Sequence, residues 1–231
     1  MSELELKEIT KLWGGNMALD HISFIMNCDV LGIVGPNGAG KTTLLNIIAG
    51  TVYPTEGKVY YNNKDITYYK PWERVKIGIG KTFQIVRPLR SLTVEENILL
   101  FSGIRNRVDV DEILKITGLI DFKDKNPAVL PFGLLKNLEL AKVLAADPEL
   151  LLLDEPFGGL SEDKISNVFN LISSLKEKKR KIIIIEHKIS SLLPLLDRII
   201  FLDRGKKIFE GGVKDFVENE NINTFYFGGR L

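Results

Sequence analysis

Leu31-Gly-Ile-Val-Gly35-Pro-Asn-Gly-Ala-Gly40-Lys-Thr-Thr43 is the stretch on which the fold turns. Within it, Gly35 to Thr42 fills every place of the pattern G-x-x-x-x-G-K-[ST]. The apolar run Val30–Val34 ahead of it reads as a buried strand. Thr42–Ala49 behind it reads as a helix that can bury Leu44, Leu45, Ile47 and Ile48. Gly35, Gly38 and Gly40 permit backbone angles that a Cβ would penalise. The loop Gly35, Pro36, Asn37, Gly38, Ala39, Gly40, Lys41, Thr42 and Thr43 can therefore curl its N–H groups around an anion, helped by the positive end of the following helix. Lys41 would reach the β- and γ-phosphates of a nucleotide, and the Thr42 hydroxyl would ligate Mg²⁺. The alternative is a glycine-rich turn with no ligand, against which the Lys-Thr pair and both flanks argue.

Composition narrows the setting. A chain of 231 residues is one large domain, or a core with a subdomain. Its 31 basic and 30 acidic residues leave a net charge of +1, which argues against nucleic acid as a partner. The single cysteine, Cys28, excludes an internal disulfide and fits a reducing compartment. The first eight residues are charged and lack the apolar stretch of a signal peptide. Runs such as Leu150–Leu153 and Ile182–Ile185 are too short to span a membrane as helices. The expectation is a soluble protein whose membrane role, if any, comes through a partner.

Outward from the loop, Leu4–Ile9 alternates as a half-buried strand does, a turn follows at Gly14-Gly15-Asn16, and His21–Met26 reads as a second strand. His21 has no neighbouring Cys or His and reads as a structural histidine. Gly57–Tyr61 is a short strand before a tight turn at Asn62-Asn63. Pro71–Lys76 suits a short helix with proline in its first turn, and Gly80–Phe83 is extended. From Thr93 the pattern becomes helical. Thr93-Val-Glu-Glu96 is a capping box, Asp109–Thr117 is a helix ended by Gly118, and Leu134–Ala146 is a longer helix. Leu150–Leu153 and Lys181–Ile185 are buried strands on either side of an amphipathic helix, Ser161–Lys176. Arg198–Leu202 and Lys206–Phe209 form a hairpin around Arg204-Gly205. Apolar strands alternating with helices imply a sheet, largely parallel, covered on both faces.

A second site signal is Leu150-Leu-Leu-Leu-Asp154-Glu155. A buried strand delivers two adjacent carboxylates at its end, where open α/β sheets place ligands. Successive strand residues point to opposite sides, so the two acids have different tasks. Asp154 would hold Mg²⁺ or its water, and Glu155 would act as general base on the attacking water. The alternative is a pair of solvated acids. The next apolar strand ends at Glu186-His187, and His187 would hydrogen-bond the γ-phosphate and that water. A lone histidine there is more often structural; its placement parallel to Asp154-Glu155 favours the site.

These pieces together resemble the nucleotide-binding subunit of an ABC transporter. The resemblance spans the whole chain: Gly35–Thr42, Thr82-Phe-Gln84, Leu130-Pro-Phe-Gly133, Leu150–Glu155, Gly158-Gly-Leu-Ser161 and Glu186-His187, in that order. It implies an α/β fold of the P-loop NTPase (RecA-like) type, with a mixed or parallel sheet, an antiparallel N-terminal β part and an inserted α-helical subdomain. A core of residues 1–83 and 146–231 would bind ATP and Mg²⁺, and residues 84–145 would form the helical signature subdomain. It further implies that Trp13 stacks on adenine, that Gln84 touches Mg²⁺ or the lytic water and senses the membrane partner, and that residues 158–161 cross a dimer interface. Gly133 would contact the nucleotide of the opposite subunit in a homodimer, or a heterodimer with a related ATPase. The dimer would drive integral membrane permease subunits from the cytoplasmic face of the membrane and serve a substrate-binding protein indirectly.

One departure stands in the signature, usually Leu-Ser-Gly-Gly-Gln. Here it reads Leu130-Pro131-Phe132-Gly133-Leu134, so the hydroxyl and the glutamine are missing. Contact with the partner's nucleotide would then rest on Gly133, neighbouring amides and the helix start at Leu134. This spelling, the segment Leu138–Lys142, the Thr82-Phe-Gln84 loop and the tail Asn219–Gly228 are similar to the ATPases of branched-chain amino acid uptake. Lipopolysaccharide-export ATPases have a similar tail and are the alternative. A non-transport ABC ATPase acting on nucleic acid or ribosomes, and a small-molecule kinase with a phosphate loop, are further alternatives.

Overall fold

The computed structural model describes residues 3–82, 87–106, 108–159, 162–186, 192–220 and 222, with backbone only at 162–164 and 167. Two compact units divide the chain: residues 1–71 with 181–231, and residues 72–180.

The first unit holds two sheets. β1 (Leu4–Trp13) pairs antiparallel with β2 (Asn16–Met26) and with β4 (Glu56–Tyr61), and β4 pairs with β5 (Lys64–Asp65). The β1–β2 turn uses Gly14 and Gly15 at φ of 52° and 91°, the two positive values that a tight hairpin needs. β2 starts at Asn16, well before the expected His21, because that turn is short enough to keep Trp13 and Asn16 paired. His21 lies on the exposed side of β2 at φ 51°, with Nδ1 2.6 Å from Asp20 Oδ1.

In the second sheet, β3 (Val30–Val34) lies between β8 (Lys181–Ile185) and β9 (Arg198–Asp203), parallel to both. β9 turns through Arg204-Gly205 into antiparallel β10 (Lys206–Gly212). β3 is buried throughout and Ile182–Ile185 are fully buried. Each such side chain contributes roughly 1.5–3 kcal/mol. Unbroken apolar runs, not alternation, are what strands covered on two faces require. α1 (Lys41–Ala49) follows β3 and buries Leu44, Leu45, Ile47 and Ile48. The short α7 (Val213–Val217) inserts Phe216 against Phe201 and Phe209.

The second unit carries β6 (Ile79–Lys81) parallel to β7 (Leu150–Asp154), with α2 (Pro71–Lys76) starting at its border. Its helices are α3 (Val94–Leu99), α4 (Val110–Ile116), α5 (Phe132–Ala145) and α6 (Glu162–Glu177). The capping box opens α3 in both directions: Glu96 N–H donates to Thr93 Oγ1 at 3.2 Å and Thr93 N–H to Glu96 Oε2 at 2.7 Å. Asn97, fully buried, ties the preceding loop by donating to the carbonyls of Leu89 and Thr93. α3 and α4 pack on α5. α6 buries Val168, Leu171, Ile172 and Leu175, the i, i+3, i+4, i+7 stripe of an amphipathic helix.

α5 begins at Phe132, two residues before the expected Leu134. Pro131, at φ −56°, occupies the cap position, where its missing N–H costs nothing. Gly133 therefore sits inside the first helical turn. Among the described residues no helix is long and apolar enough to cross a membrane.

Candidate functional site

The phosphate loop joins β3 to α1 in the first unit. Gly35, Gly38 and Gly40 all have positive φ, at 144°, 79° and 99°. Two are also hemmed in: a Cβ on Gly35 would lie 2.0 Å from the Leu202 carbonyl oxygen, and one on Gly40 2.5 Å from that of Ala18. β9 and β2 thus press on the loop, and only hydrogen fits. Ala39 is buried and its carbonyl accepts from Gly205 N–H at 3.1 Å, while Pro36, Asn37, Gly38 and Thr42 face solvent. Lys41 is 5% exposed, and its ammonium donates to the carbonyls of Gly35 and Pro36, both at 2.8 Å. The lysine so braces the loop from within. α1 has no side-chain cap at Gly40 and no acid in its first turn, so no carboxylate of its own competes for its positive dipole end. Trp13, at the end of β1, is 52% exposed with Lys11 Nζ 4.5 Å above its ring, and is not a core tryptophan.

The acidic pair belongs to the second unit. Asp154 ends β7, is 4% exposed, and lies 3.6 Å from Lys81 Nζ. Thr82 holds the strand end, with its N–H on the Leu152 carbonyl at 2.9 Å and its Oγ1 3.3 Å from Asp154 N–H. Burial lowers the Lys81 pKa, outweighing the opposite pull of the Asp154 carboxylate. Glu155, the next residue, stands at φ 50°. For a non-glycine residue this left-handed conformation costs about 1–2 kcal/mol. Its carbonyl accepts from Gly158 N–H at 3.0 Å and from Lys136 Nζ, on α5, at 3.0 Å. The strained loop 155–158 and the signature helix are therefore tied together inside one unit. Phe132 is 52% exposed at the start of α5, beside Gly133.

Gln84 and His187 lie outside the described residues, as do Leu160, Ser161, 221 and 223–228. The structure gathers the loop residues 35–43 in one unit, and Asp154, Glu155 and the helix bearing Gly133 in the other. Lys81 and Lys136 escaped the sequence reading. Each is an isolated lysine whose partner is 73 or about 20 residues away, so no local spacing marks it.

Chemically, a loop of this geometry can cradle a polyphosphate. Thr42 and Asp154 are hard oxygen donors of the kind Mg²⁺ takes. Glu155 is a carboxylate, a group able to take a proton from water. The fold and these motifs define a nucleotide-binding cassette. The sequence matches the family model described as ABC transporter over residues 19–158, and the chain belongs to that family as one of its ATP-binding cassettes.

Among curated relatives it is 33% identical to the probable branched-chain amino acid transport ATP-binding protein LivG of Methanocaldococcus jannaschii, over 99% of this chain and 98% of that one. It is 29% identical to the lipopolysaccharide export system ATP-binding protein LptB of Haemophilus influenzae, again over 99% and 98%. Among solved structures, the ADP conformation of MJ1267, an ATP-binding cassette of an ABC transporter, superposes with a TM-score of 0.87 at 31% identity over 99% of both chains. The dimeric structure of MJ0796, a bacterial ABC transporter cassette, gives 0.82 at 28% identity, covering 91% of this chain and 98% of that one.

Proposed function

We propose that this chain is the ATP-hydrolysing subunit of an uptake transporter for branched-chain amino acids or similar polar solutes. It works as a dimer, with a copy of itself or a related ATPase, on the cytoplasmic face of the membrane. Integral membrane permeases are its direct partners and a solute-binding protein an indirect one; nucleic acid is not a partner. The observation that carries the reading is a phosphate loop with three positive-φ glycines ahead of an uncapped helix, in a chain similar to LivG from end to end.

In this account the loop N–H groups and Lys41 grip the triphosphate, Lys41 exchanging its two carbonyl contacts for phosphate oxygens. Thr42, Asp154 and Gln84 would hold Mg²⁺, which supplies neutralisation of phosphate charge. Glu155 takes the proton of the attacking water, and His187 contacts the γ-phosphate. Trp13 offers its exposed ring to the base, and Gly133 meets the nucleotide of the opposite subunit. The core lobe is residues 1–83 with 146–231, and the helical lobe residues 84–145.

Similarity to LptB favours export of a lipid as the second reading. Reconstitution with the permeases that co-purify with the chain separates the two. Uptake predicts ATP turnover stimulated by a loaded solute-binding protein. Stimulation by lipopolysaccharide instead would overturn it.

A further inference from the structure

The loop that follows β7 has an unusual anchor. Glu155 has left-handed backbone geometry, and its carbonyl points at the ammonium of Lys136, 3.0 Å away on α5. The same ammonium donates to the Gly158 carbonyl, and Gly158 N–H closes back on the Glu155 carbonyl at 3.0 Å. One cation thus spans both ends of the four-residue turn that carries Glu155. The surroundings fix the cation in turn. The Phe132 ring centroid lies 5.6 Å from Lys136 Nζ, an approach that favours a positive charge. A Cβ on Gly158 would stand 3.3 Å from the Glu155 oxygen and 3.5 Å from Lys136 Nζ, so the turn has no slack.

We propose that Lys136 is a positioning residue for Glu155: its ammonium pins the 155–158 turn to the signature helix and so aims the carboxylate that activates water. The proposal rests on the reading of Glu155 as the general base. A side chain held by its own strained backbone can be aimed only while that backbone is held. A charged donor on the carbonyl is the stronger kind of tie. It also gives the helix that begins at Phe132 and Gly133 a direct grip on the catalytic turn, so displacement of α5 displaces Glu155. A merely structural lysine would affect folding and nucleotide affinity together. A positioning lysine affects turnover alone, because the phosphate loop belongs to the other unit.

The test compares Lys136→Met, Lys136→Arg and Glu155→Gln in the full chain, by ATP titration and by steady-state phosphate release with Mg²⁺. Lys136→Met is expected to lower kcat at least about tenfold with the Kd for ATP within about twofold of wild type, since small displacements of a catalytic group are that costly. Lys136→Arg keeps a charged donor and is expected to restore most of kcat. Wild-type kcat in Lys136→Met, or equal impairment of the Met and Arg variants, overturns the proposal. Should Lys136→Met fail to fold, Gly158→Ala crowds the same turn from its other side; a selective fall in kcat supports the proposal and a normal kcat overturns it. If Glu155→Gln itself turns over normally, the base assignment fails. If only Lys136→Met does so, the base assignment stands and the anchor alone is lost.

Discussion

Alanine at Gly35 and at Gly38 should give sharply different outcomes, although both are glycines of one loop with positive φ. At Gly38 the added Cβ meets nothing within 4 Å. The cost is then backbone strain alone at φ 79°, about 1–2 kcal/mol. At Gly35 the Cβ would stand 2.0 Å from the Leu202 carbonyl oxygen, about 1 Å closer than any real contact. Leu202 cannot simply retreat, since β9 is paired with β3 immediately beside it, Val34 against Phe201. Overpacking and a backbone conformation reserved for glycine then add to at least about 3 kcal/mol. For a domain of this size that lowers the melting temperature by about 6–12 °C, against about 2–8 °C for Gly38→Ala. Nucleotide binding should follow: the Gly35 variant, whose loop must shift to relieve the clash, binds ATP more weakly than the wild type, while the Gly38 variant keeps most of its affinity. Thermal melts and ATP titration on both proteins are the assay. Equal stability and equal affinity in the two variants would refute the claim that β9 shapes the loop.

Lys41→Ala removes both braces to Gly35 and Pro36 and the charged donor proposed to reach phosphate; ATP affinity should fall roughly ten- to a hundredfold in equilibrium titration. Thr93→Ala removes the hydroxyl that accepts from Glu96 N–H, while the Thr93 N–H bond to the Glu96 carboxylate survives; it should cost about 1 kcal/mol in denaturant unfolding, leaving ATP affinity unchanged. Burial pushes the Cys28 thiol up to about 11, so at pH 8 the folded protein should react with iodoacetamide roughly a hundredfold more slowly than the unfolded chain. Because this folded-state pKa is raised, the unfolded thiol ionises first. Stability tied to Cys28 is present below pH 9 and is lost as pH climbs from 9 toward 11, and Cys28→Ala should flatten that fall.

Much of this architecture is legible in residue order, for definite reasons. The loop from Gly35 to Thr42 announces itself because a phosphate cradle needs those residue types at that spacing. Ile182–Ile185 and Leu150–Leu153 read as strands because burial on two faces demands unbroken apolar runs. Thr93 and Glu96 identify a helix start because their side chains bond reciprocally. Other features leave no such trace. The start of α5 at Phe132 leaves no local mark: glycine disfavours helix, yet Pro131 supplies the cap and draws Phe132 and Gly133 into the first turn. The strain at Glu155 is invisible because glutamate has no special preference for positive φ. Lys136 and Lys81 act on the backbone and on a carboxylate far along the chain, and tertiary contacts of that kind carry no periodicity.

Comparing Glu155→Gln with the wild-type chain in paired ATP-binding and phosphate-release measurements tests the central claim most directly. Both proteins should bind ATP equally well, while the variant releases phosphate at least about a hundredfold more slowly and holds an ATP-bound dimer that persists on gel filtration. Normal phosphate release by the variant, or no nucleotide binding by either protein, would contradict it.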